Sequence, residues 1–162
     1  MKRTALGRVE CPVARALDEI GDWWSLLIIR DCFDGMRRFG EFQKNLGISK
    51  GILAARLKHL VAIGVLRTEP ISDDGAFEEY VLTDKGRDLF LVNLSLRQWG
   101  EDHCFNSSEP HSVLVEKANG RRVARLSLRG HQGEELNGST TVVRKVSGRL
   151  GGSTKRNRSK AS

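Results

Sequence analysis

The chain has 162 residues, of which 29% are charged and 39% hydrophobic, and this composition is typical of one or two small soluble domains. Its longest mostly apolar stretch, residues 23–29, is too short to span a bilayer, and residues 1–10 lack the apolar segment of a secretion signal. The three cysteines are widely spaced and form no CxxC pair, which argues against a disulfide framework and a zinc finger and favours a reducing cytoplasm.

The net charge of +7 is unevenly distributed along the chain. Residues 1–105 hold 15 basic and 16 acidic side chains, a net charge of −1, whereas residues 106–162 hold 12 basic and 4 acidic ones, a net charge of +8. Residues 37–58 hold six basic side chains and one acidic one, and residues 69–79 hold five acidic side chains and no basic one. Such a distribution lets a nearly neutral domain bind a polyanion through one local surface.

The chain begins with two predicted helices. Pro12 suits the first turn of a helix, and Gly21 ends that helix. Its apolar positions at helical spacing are Val13, Leu17 and Ile20. Asp22 is a good cap for a second helix, from Trp23 to about Phe33, which is apolar on nearly every side. We therefore expect this second helix at the centre of the fold, wrapped by others.

Two further helices follow in close succession. A short third helix over residues 39–46 ends at Gly47, a residue that favours the left-handed conformation of a helix end. Ser49 caps a fourth helix that runs to about Ile63. Its predicted inward positions are Ile52, Leu53, Leu57, Leu60 and Val61.

A hairpin and a long helix complete the first part of the chain. Residues 65–70 and 77–82 are predicted as two strands joined by the Ser-Asp-Asp-Gly turn at 72–75. Thr83 caps the long helix that follows. Its apolar positions are Leu89, Phe90, Val92, Leu96 and Trp99.

After residue 105 the character of the sequence changes. Residues 106–110 have the composition of a linker, and residues 111–116 and 122–128 resemble strands around the turn-forming Asn119-Gly120. Residues 140–146 are a candidate third strand, whereas residues from 147 onward are too polar to order themselves. We therefore predict three regions: a mainly α domain at 1–105, a small β-rich appendage at 106–147 and a disordered basic tail at 148–162.

Helix, tight turn, helix and two-stranded hairpin in this order predict a winged helix-turn-helix, in which the fourth helix enters the major groove of double-stranded DNA. The competing interpretation is a helical hairpin whose basic residues form a solvated face. The turn, the hairpin and the local concentration of positive charge favour DNA binding. The candidate DNA-binding residues are Arg37, Arg38, Lys44, Ser49, Lys50, Gly51, Ala54, Lys58 and Arg67.

An ordered series of motifs supports this interpretation. The series comprises Cys11-Pro-Val-Ala-Arg-Ala-Leu-Asp-Glu-Ile-Gly, Trp24-Ser-Leu-Leu-Ile-Ile-Arg-Asp, Arg38-Phe-Gly-Glu-Phe, Arg56-Leu-Lys-His-Leu, Glu79-Tyr-Val-Leu-Thr-Asp-Lys-Gly and Trp99-Gly. Over roughly residues 8–104 the chain thus resembles the HxlR-type winged-helix transcriptional regulators of bacteria. The resemblance implies a cytoplasmic homodimer that binds DNA and whose terminal helices build the dimer. The candidate interface residues are Leu89, Phe90, Leu96 and Trp99.

Two features depart from that family. Its hairpin usually offers proline and basic residues near the tip, whereas here residues 69–79 hold five carboxylates, which a phosphate backbone would repel. Arg67, at the base of the hairpin, is the better backbone contact. Gly51 and the two alanines of the fourth helix leave few side chains for hydrogen bonds to bases, so specificity would rest on Ser49, Lys50, apolar contacts and DNA shape.

Cys11 is a second site of interest, because it precedes Pro12 at a helix N-terminus, where the helix dipole favours a thiolate. Some relatives use a cysteine at the matching position as a redox sensor; the other interpretation is a small packing residue. Cys32 is predicted to belong to the core. Adjacent helical side chains diverge by about 100°, so His103 and Cys104 are not expected to share a metal.

Enzymatic activity is not expected, because the sequence contains no phosphate-binding loop, no HExxH and no nucleophile elbow, and we expect no cofactor and no metal. The acidic cluster of Asp73, Asp74, Glu78 and Glu79 matches no calcium loop and is interpreted as a solvated turn. Trp23 and Trp24 belong either to the core or to a pocket for a small-molecule effector. The alternative function is a redox-sensing or protein-interaction module that uses the same fold, with Cys11 as the sensing thiol.

Overall fold

The computed structural model describes residues 9–71 and 78–144, and it divides into two units with the boundary after Ala124. The first unit consists of α1 (Pro12–Ile20), α2 (Trp23–Phe33), α3 (Phe39–Leu46), α4 (Lys50–Ala62), β1 (Leu66–Pro70), β2 (Glu78–Leu82), α5 (Asp84–Arg87) and α6 (Phe90–His103), followed by a hairpin. This order confirms the predicted mainly α fold with a small β content. The three regions predicted from the sequence, with a boundary at residue 105, stay a prediction.

The helices begin and end at the capping residues that the sequence predicts. The Asp22 side chain accepts a hydrogen bond from the Ser25 N–H, and Gly47 adopts φ 61° at the end of α3. The core beneath α3 and α4 contains Ile20, Ile28, Ile29, Phe42, Ile48, Leu53, Leu57, Leu60, Val65, Leu66 and Leu82. Residues from α1 to β2 therefore share one hydrophobic core, which fixes α4 relative to the hairpin.

The expected central position of the second helix is confirmed, whereas one expectation about a helix face was wrong. α2 contacts α1, α3, α4, α6 and β2 and buries Ile28 and Ile29 completely, although Trp23 at its start is 65% exposed. In α4 the buried side chains are Leu53, Leu57 and Leu60, whereas Ile52 is 44% exposed. Successive helical residues are about 100° apart, and Ile52 therefore falls outside the narrow stripe that these three leucines define.

The wing is an antiparallel hairpin with Leu66 opposite Leu82 and Pro70 opposite Glu78. The Tyr80 N–H donates to the Arg37 carbonyl oxygen at 2.8 Å, which joins β2 to the segment that leads into α3. The predicted turn at 72–75 and Phe77 lie outside the described residues.

The predicted long helix after Thr83 is divided into two. The Thr83 side chain accepts the Gly86 N–H as a cap, and α5 ends at Arg87. The Leu89 N–H then bonds to the Gly86 carbonyl, a tighter i→i+3 turn, before α6 begins at Phe90. Gly86 is buried where an added Cβ would collide with the Val65 carbonyl, so α5 lies tightly against the start of the hairpin.

The β-rich region is less regular than predicted. Within residues 111–116 and 122–128, only Leu128 belongs to a strand, and Val115 and Arg122 form an isolated antiparallel bridge with Gly120 at φ 69° in the turn. Their apolar side chains are mostly exposed, so no core fixes longer strands. The second unit holds β3 (Leu128–Arg129) paired with β4 (Glu135–Leu136), which the sequence analysis did not predict.

The candidate strand at 140–146 was wrong over its described part, because residues 141–144 form no strand and Val142 and Val143 are exposed. Residues 145–146 and the basic tail at 148–162 lie outside the described residues.

Candidate nucleic-acid interface

The exposed surface of α4 carries small side chains. Gly51, Ala54 and Ala55 are exposed, and outside the adjoining helix backbone no described residue places an atom within 4 Å of a Cβ built on Gly51. Lys50 and Lys58 are exposed on the same helix. A helix with small side chains in its middle and cations beside them can approach a phosphate-lined groove closely without steric conflict.

Ser49 fixes where this helix starts. Its hydroxyl oxygen accepts the Ile52 N–H at 3.4 Å, so the predicted cap is confirmed. The hydroxyl retains its own hydrogen for donation, because the cap uses only a lone pair of the oxygen. Ser49 can therefore cap α4 and still donate one hydrogen bond to a nucleic acid.

The predicted cations divide into two classes. The side chains of Lys44, Lys50 and Lys58 are exposed and, among the described residues, form no ion pair. Arg37 and Arg38, by contrast, both face Glu79 of β2, with Nη1 of Arg37 3.6 Å and Nε of Arg38 3.3 Å from its carboxylate oxygens. The lysines are thus available to phosphates without breaking an existing contact.

The remaining arginines of the region are also paired. Arg67 of β1 donates from Nε to Glu69 at 3.0 Å, and Arg56 Nε lies 3.0 Å from the Asp22 carboxylate that caps α2. The carboxylates of the wing therefore neutralise neighbouring arginines, in addition to repelling a phosphate backbone. Arg56 was not among the candidates, and its pairing with Asp22 gives it a structural role between α4 and α2.

A buried carboxylate anchors the bracing helix α3. Asp31 is completely buried, and its Oδ1 accepts from Nε and Nη2 of Arg30 at 2.9 and 2.6 Å. Its Oδ2 accepts from Nδ2 of Asn45 in α3 at 2.9 Å. This bridge holds α3 against α2 beside Lys44, one of the unpaired lysines.

Glu41 caps the start of α3. Its Oε2 accepts the backbone N–H groups of Arg37 and Arg38 at 2.8 and 2.9 Å. These two hydrogen bonds lower the pKa of Glu41 below its ordinary value of 4.5, and the bond from the Arg37 N–H has the larger effect. The contact orders the backbone that presents both arginines.

Ile52, predicted as an inward position, is an exposed residue of the candidate interface. It lies in the first turn of α4, next to Gly51, and offers an apolar side chain of the kind that contacts a thymine methyl group. Helical spacing relative to Leu53, Leu57 and Leu60 alone could have identified it, because Ile52 stands beside that stripe rather than within it.

Apolar side chains without cover lie on the terminal helices. Phe90 is 40%, Leu96 50% and Trp99 60% exposed, whereas Leu89 is half-buried and packs against the core. Leu89 therefore contributes to the hydrophobic core of its own chain, and its predicted interface role stays a prediction. Val13 and Leu17 of α1 are also exposed, and the sequence analysis did not predict this.

The three cysteines differ in environment. Cys11 is exposed and occupies the N-cap position of α1, with Pro12 in the first turn, as predicted. Cys32 packs against the core, and burial, reinforced by the neighbouring Asp31 charge, raises its pKa to about 12. Cys104 is exposed at the end of α6.

Within the described ranges, no three or more His, Cys, Asp or Glu side chains come together as a metal site would require. No helix in the part of the chain that the structure describes is long and apolar enough to cross a membrane.

Comparison with known proteins identifies relatives across most of the first unit. The model of the HxlR-like helix-turn-helix family matches residues 19–108. The HTH-type transcriptional regulator Rv3095 of Mycobacterium tuberculosis is 40% identical over 124 residues, which cover 76% of this chain and 78% of that protein.

Solved structures agree with this result. PA1607, a candidate transcription factor, is 50% identical with a TM-score of 0.83 and covers 88% of this chain and 100% of that one. The redox regulator HypR in its oxidized form is 34% identical with a TM-score of 0.53 and covers 57% of this chain and 97% of that one.

Proposed function

Since the chain belongs to the HxlR-like helix-turn-helix family and its relatives include HTH-type transcriptional regulators, we propose that it binds double-stranded DNA as a cytoplasmic homodimer. In this proposal α4 enters the major groove and α3 lies across the phosphate backbone. Transcription is controlled by occupation of the operator, and an effector changes that occupation.

One observation carries the DNA-binding mode. Lys44, Lys50 and Lys58 are exposed and unpaired among the described residues, on the two helices of the helix-turn-helix, whereas the nearby arginines are paired with carboxylates. Unpaired lysines gain counterion-release energy on DNA without first losing an ion pair. We therefore assign the principal phosphate contacts to these lysines and secondary contacts to Arg37, Arg38 and Arg67.

Base recognition is assigned to the first turn of α4. Ser49, Lys50, Gly51, Ile52 and Ala54 are the residues that this turn and the next expose. A lysine can read the acceptors of guanine, and an apolar side chain can contact a thymine methyl group. Small residues between them allow close approach of the helix backbone, so DNA shape contributes to specificity.

The homodimer is supported by the uncovered apolar side chains of the terminal helices. Leu96 and Trp99 of α6 and Val13 and Leu17 of α1 are each at least half exposed. Exposed apolar surface of this kind marks an interaction site in a soluble protein, and a two-fold pairing would cover the same side chains in both copies.

The second candidate function, redox sensing, is favoured by the exposure of Cys11 at the start of α1. In this proposal oxidation of the Cys11 thiol changes DNA affinity. Hydrogen peroxide should then alter operator binding of the wild type and of Cys104→Ser, which removes another exposed thiol, but not of Cys11→Ser. An equal response of Cys11→Ser would reject Cys11 as the sensor.

The proposed function is tested by fluorescence anisotropy with two duplexes. One contains the region upstream of the protein's own gene, and the other is a scrambled duplex of the same composition. We expect tighter binding to the upstream duplex and a steep loss of affinity with salt on both. Absence of binding to either duplex at low salt would contradict the proposal.

A further inference from the structure

A cleft of about 450 Å³ lies between α2 and α6 of the first unit. Its walls are mainly apolar and include Trp23, Leu27, Phe33, Phe90 and Leu94. A volume of this size matches that of clefts that hold small organic molecules, which are typically apolar with a few polar groups that fix orientation.

The polar groups that line the cleft are Arg30, Asp34, Asn93 and Arg97. Arg30 donates from Nε and Nη2 to a single oxygen of Asp31, so its Nη1 has no partner among the described residues. Arg97 is less accessible, because its side chain is only 30% exposed, its Nε lies 2.8 Å from the Glu101 carboxylate and its Nη2 donates to Ser112. Arg30, whose side chain is 45% exposed, is therefore the group best able to receive an acidic ligand.

Arg30 also connects the cleft to the helix-turn-helix. It is the cation that compensates the completely buried Asp31, whose other oxygen holds Asn45 of α3 at 2.9 Å. A ligand that draws the guanidinium of Arg30 toward the cleft would weaken the compensation of a buried charge, which is costly. The position of α3 would respond, because Asp31 and Asn45 form a direct hydrogen bond between α2 and α3.

We propose that this cleft binds a small organic acid with an apolar body, that Arg30 binds its carboxylate, and that binding weakens the hold of the protein on DNA through Asp31 and Asn45. Only the proposed effect on DNA binding rests on the proposed function; the proposed binding of the acid does not. By linkage, DNA must lower the affinity for the acid by the same factor as the acid lowers the affinity for DNA.

The binding half is tested without DNA, by calorimetry and tryptophan fluorescence with 2-naphthoate and its neutral analogue 2-naphthalenemethanol. We expect saturable binding of both to the wild type, with the acid bound at least 10-fold more tightly. The matched variant Arg30→Met/Asp31→Asn removes the cation and the buried anion together. It should bind the neutral analogue as before and lose the preference for the acid.

A second variant, Leu94→Trp, fills the cleft and should bind neither compound. Equal affinities of the wild type for acid and alcohol, or unchanged binding by a folded Leu94→Trp variant, would overturn the proposal. Binding of the acid only to a monomeric variant would show that a second copy of the chain occupies the cleft, and this result too would overturn it.

The coupling half uses an upstream duplex with saturating 2-naphthoate. We expect DNA affinity to fall at least 5-fold in the wild type and to stay unchanged in Arg30→Met/Asp31→Asn. Unchanged DNA affinity in the wild type would refute the coupling. Absence of DNA binding with and without the acid would instead reject the proposed function and leave the binding half to its own test.

Discussion

Replacement of Lys50 and Lys58 by alanine tests the assignment of phosphate contacts most specifically. Both side chains are exposed and, among the described residues, unpaired, so no structural contact is lost on substitution. Alanine is at least as good a helix former as lysine, and we expect the free energy of unfolding to change by no more than about 0.5 kcal/mol. A change in DNA affinity would therefore report on the interface and not on folding.

The expected change in the salt dependence of DNA affinity follows from the number of phosphate contacts that are lost. Each phosphate contact contributes about 0.9 to the slope of log affinity against log salt, so a homodimer that loses four contacts has a slope shallower by about 3.6. Between 50 and 200 mM salt the wild type should then lose about 150-fold more affinity than the variant. Anisotropy titrations at four salt concentrations measure both slopes.

A matched control removes the same charge elsewhere. Lys117→Ala/Arg122→Ala changes the net charge equally in the exposed hairpin after α6. Its salt slope should equal that of the wild type. If Lys50→Ala/Lys58→Ala keeps the wild-type slope, or if the control loses as much, the assignment of α4 to the DNA surface is wrong.

Four further predictions concern the wing carboxylate, the proposed dimer interface, the cap of α3 and the cysteines. Glu79→Gln frees Arg37 and Arg38, so DNA affinity at 0.1 M salt should rise by up to about 10-fold per half-site in the same titration; unchanged affinity would remove both arginines from the interface. Leu96→Asp should raise the dimer dissociation constant more than about 100-fold in sedimentation, since it removes apolar contact and buries a charge in each copy, whereas Leu128→Asp, a similarly exposed control in the second unit, should not. Glu41→Gln should lower thermal stability at pH 7, and the difference from the wild type should shrink as the pH falls below 4.5 and through the lowered folded-state pKa, because the contribution exists only while the carboxylate is charged; a difference that does not change on acidification would contradict this. Iodoacetamide at pH 8 should modify Cys11 and Cys104 and spare Cys32, whose pKa burial raises to about 12; mass spectrometry that finds Cys32 equally modified would show that its environment is open.

Local rules were sufficient for the elements that build the helix-turn-helix. Asp22, Ser49 and Thr83 were predicted as caps, and each accepts a backbone N–H three residues further on. Gly47 takes the left-handed conformation expected at the end of α3. These signals depend only on neighbouring residues, and for this reason the sequence displays them directly.

Long-range pairing was not predictable in the same way. Arg38 and Glu79 are 41 positions apart, and nothing in their local sequence indicates that the wing carboxylate compensates this arginine. Only the structure therefore shows that the arginines are paired with carboxylates, whereas the lysines are available for phosphate contacts. The exposure of Val13 and Leu17 has a related origin, because helical spacing shows that they share a face but not what covers it.

The strands predicted after α6 were largely wrong for a physical reason. The segments that follow α6 are rich in valine and leucine, as strands often are, yet these side chains remain largely exposed, and a strand composition without a core to bury one face does not fix extended pairing. The dipeptide Asn119-Gly120 still forms its turn, because that preference is local.

Hydroxyl-radical footprinting of the full chain on its upstream region tests the central claim most directly. A homodimer that places one α4 in each of two major grooves should protect two half-sites whose centres lie about 10–10.5 base pairs, or a multiple of one helical turn, apart on one face of the duplex. The Lys50→Ala/Lys58→Ala variant should lose both protected segments at the same time. A single protected segment, or protection that covers the duplex without a helical period, would contradict the account.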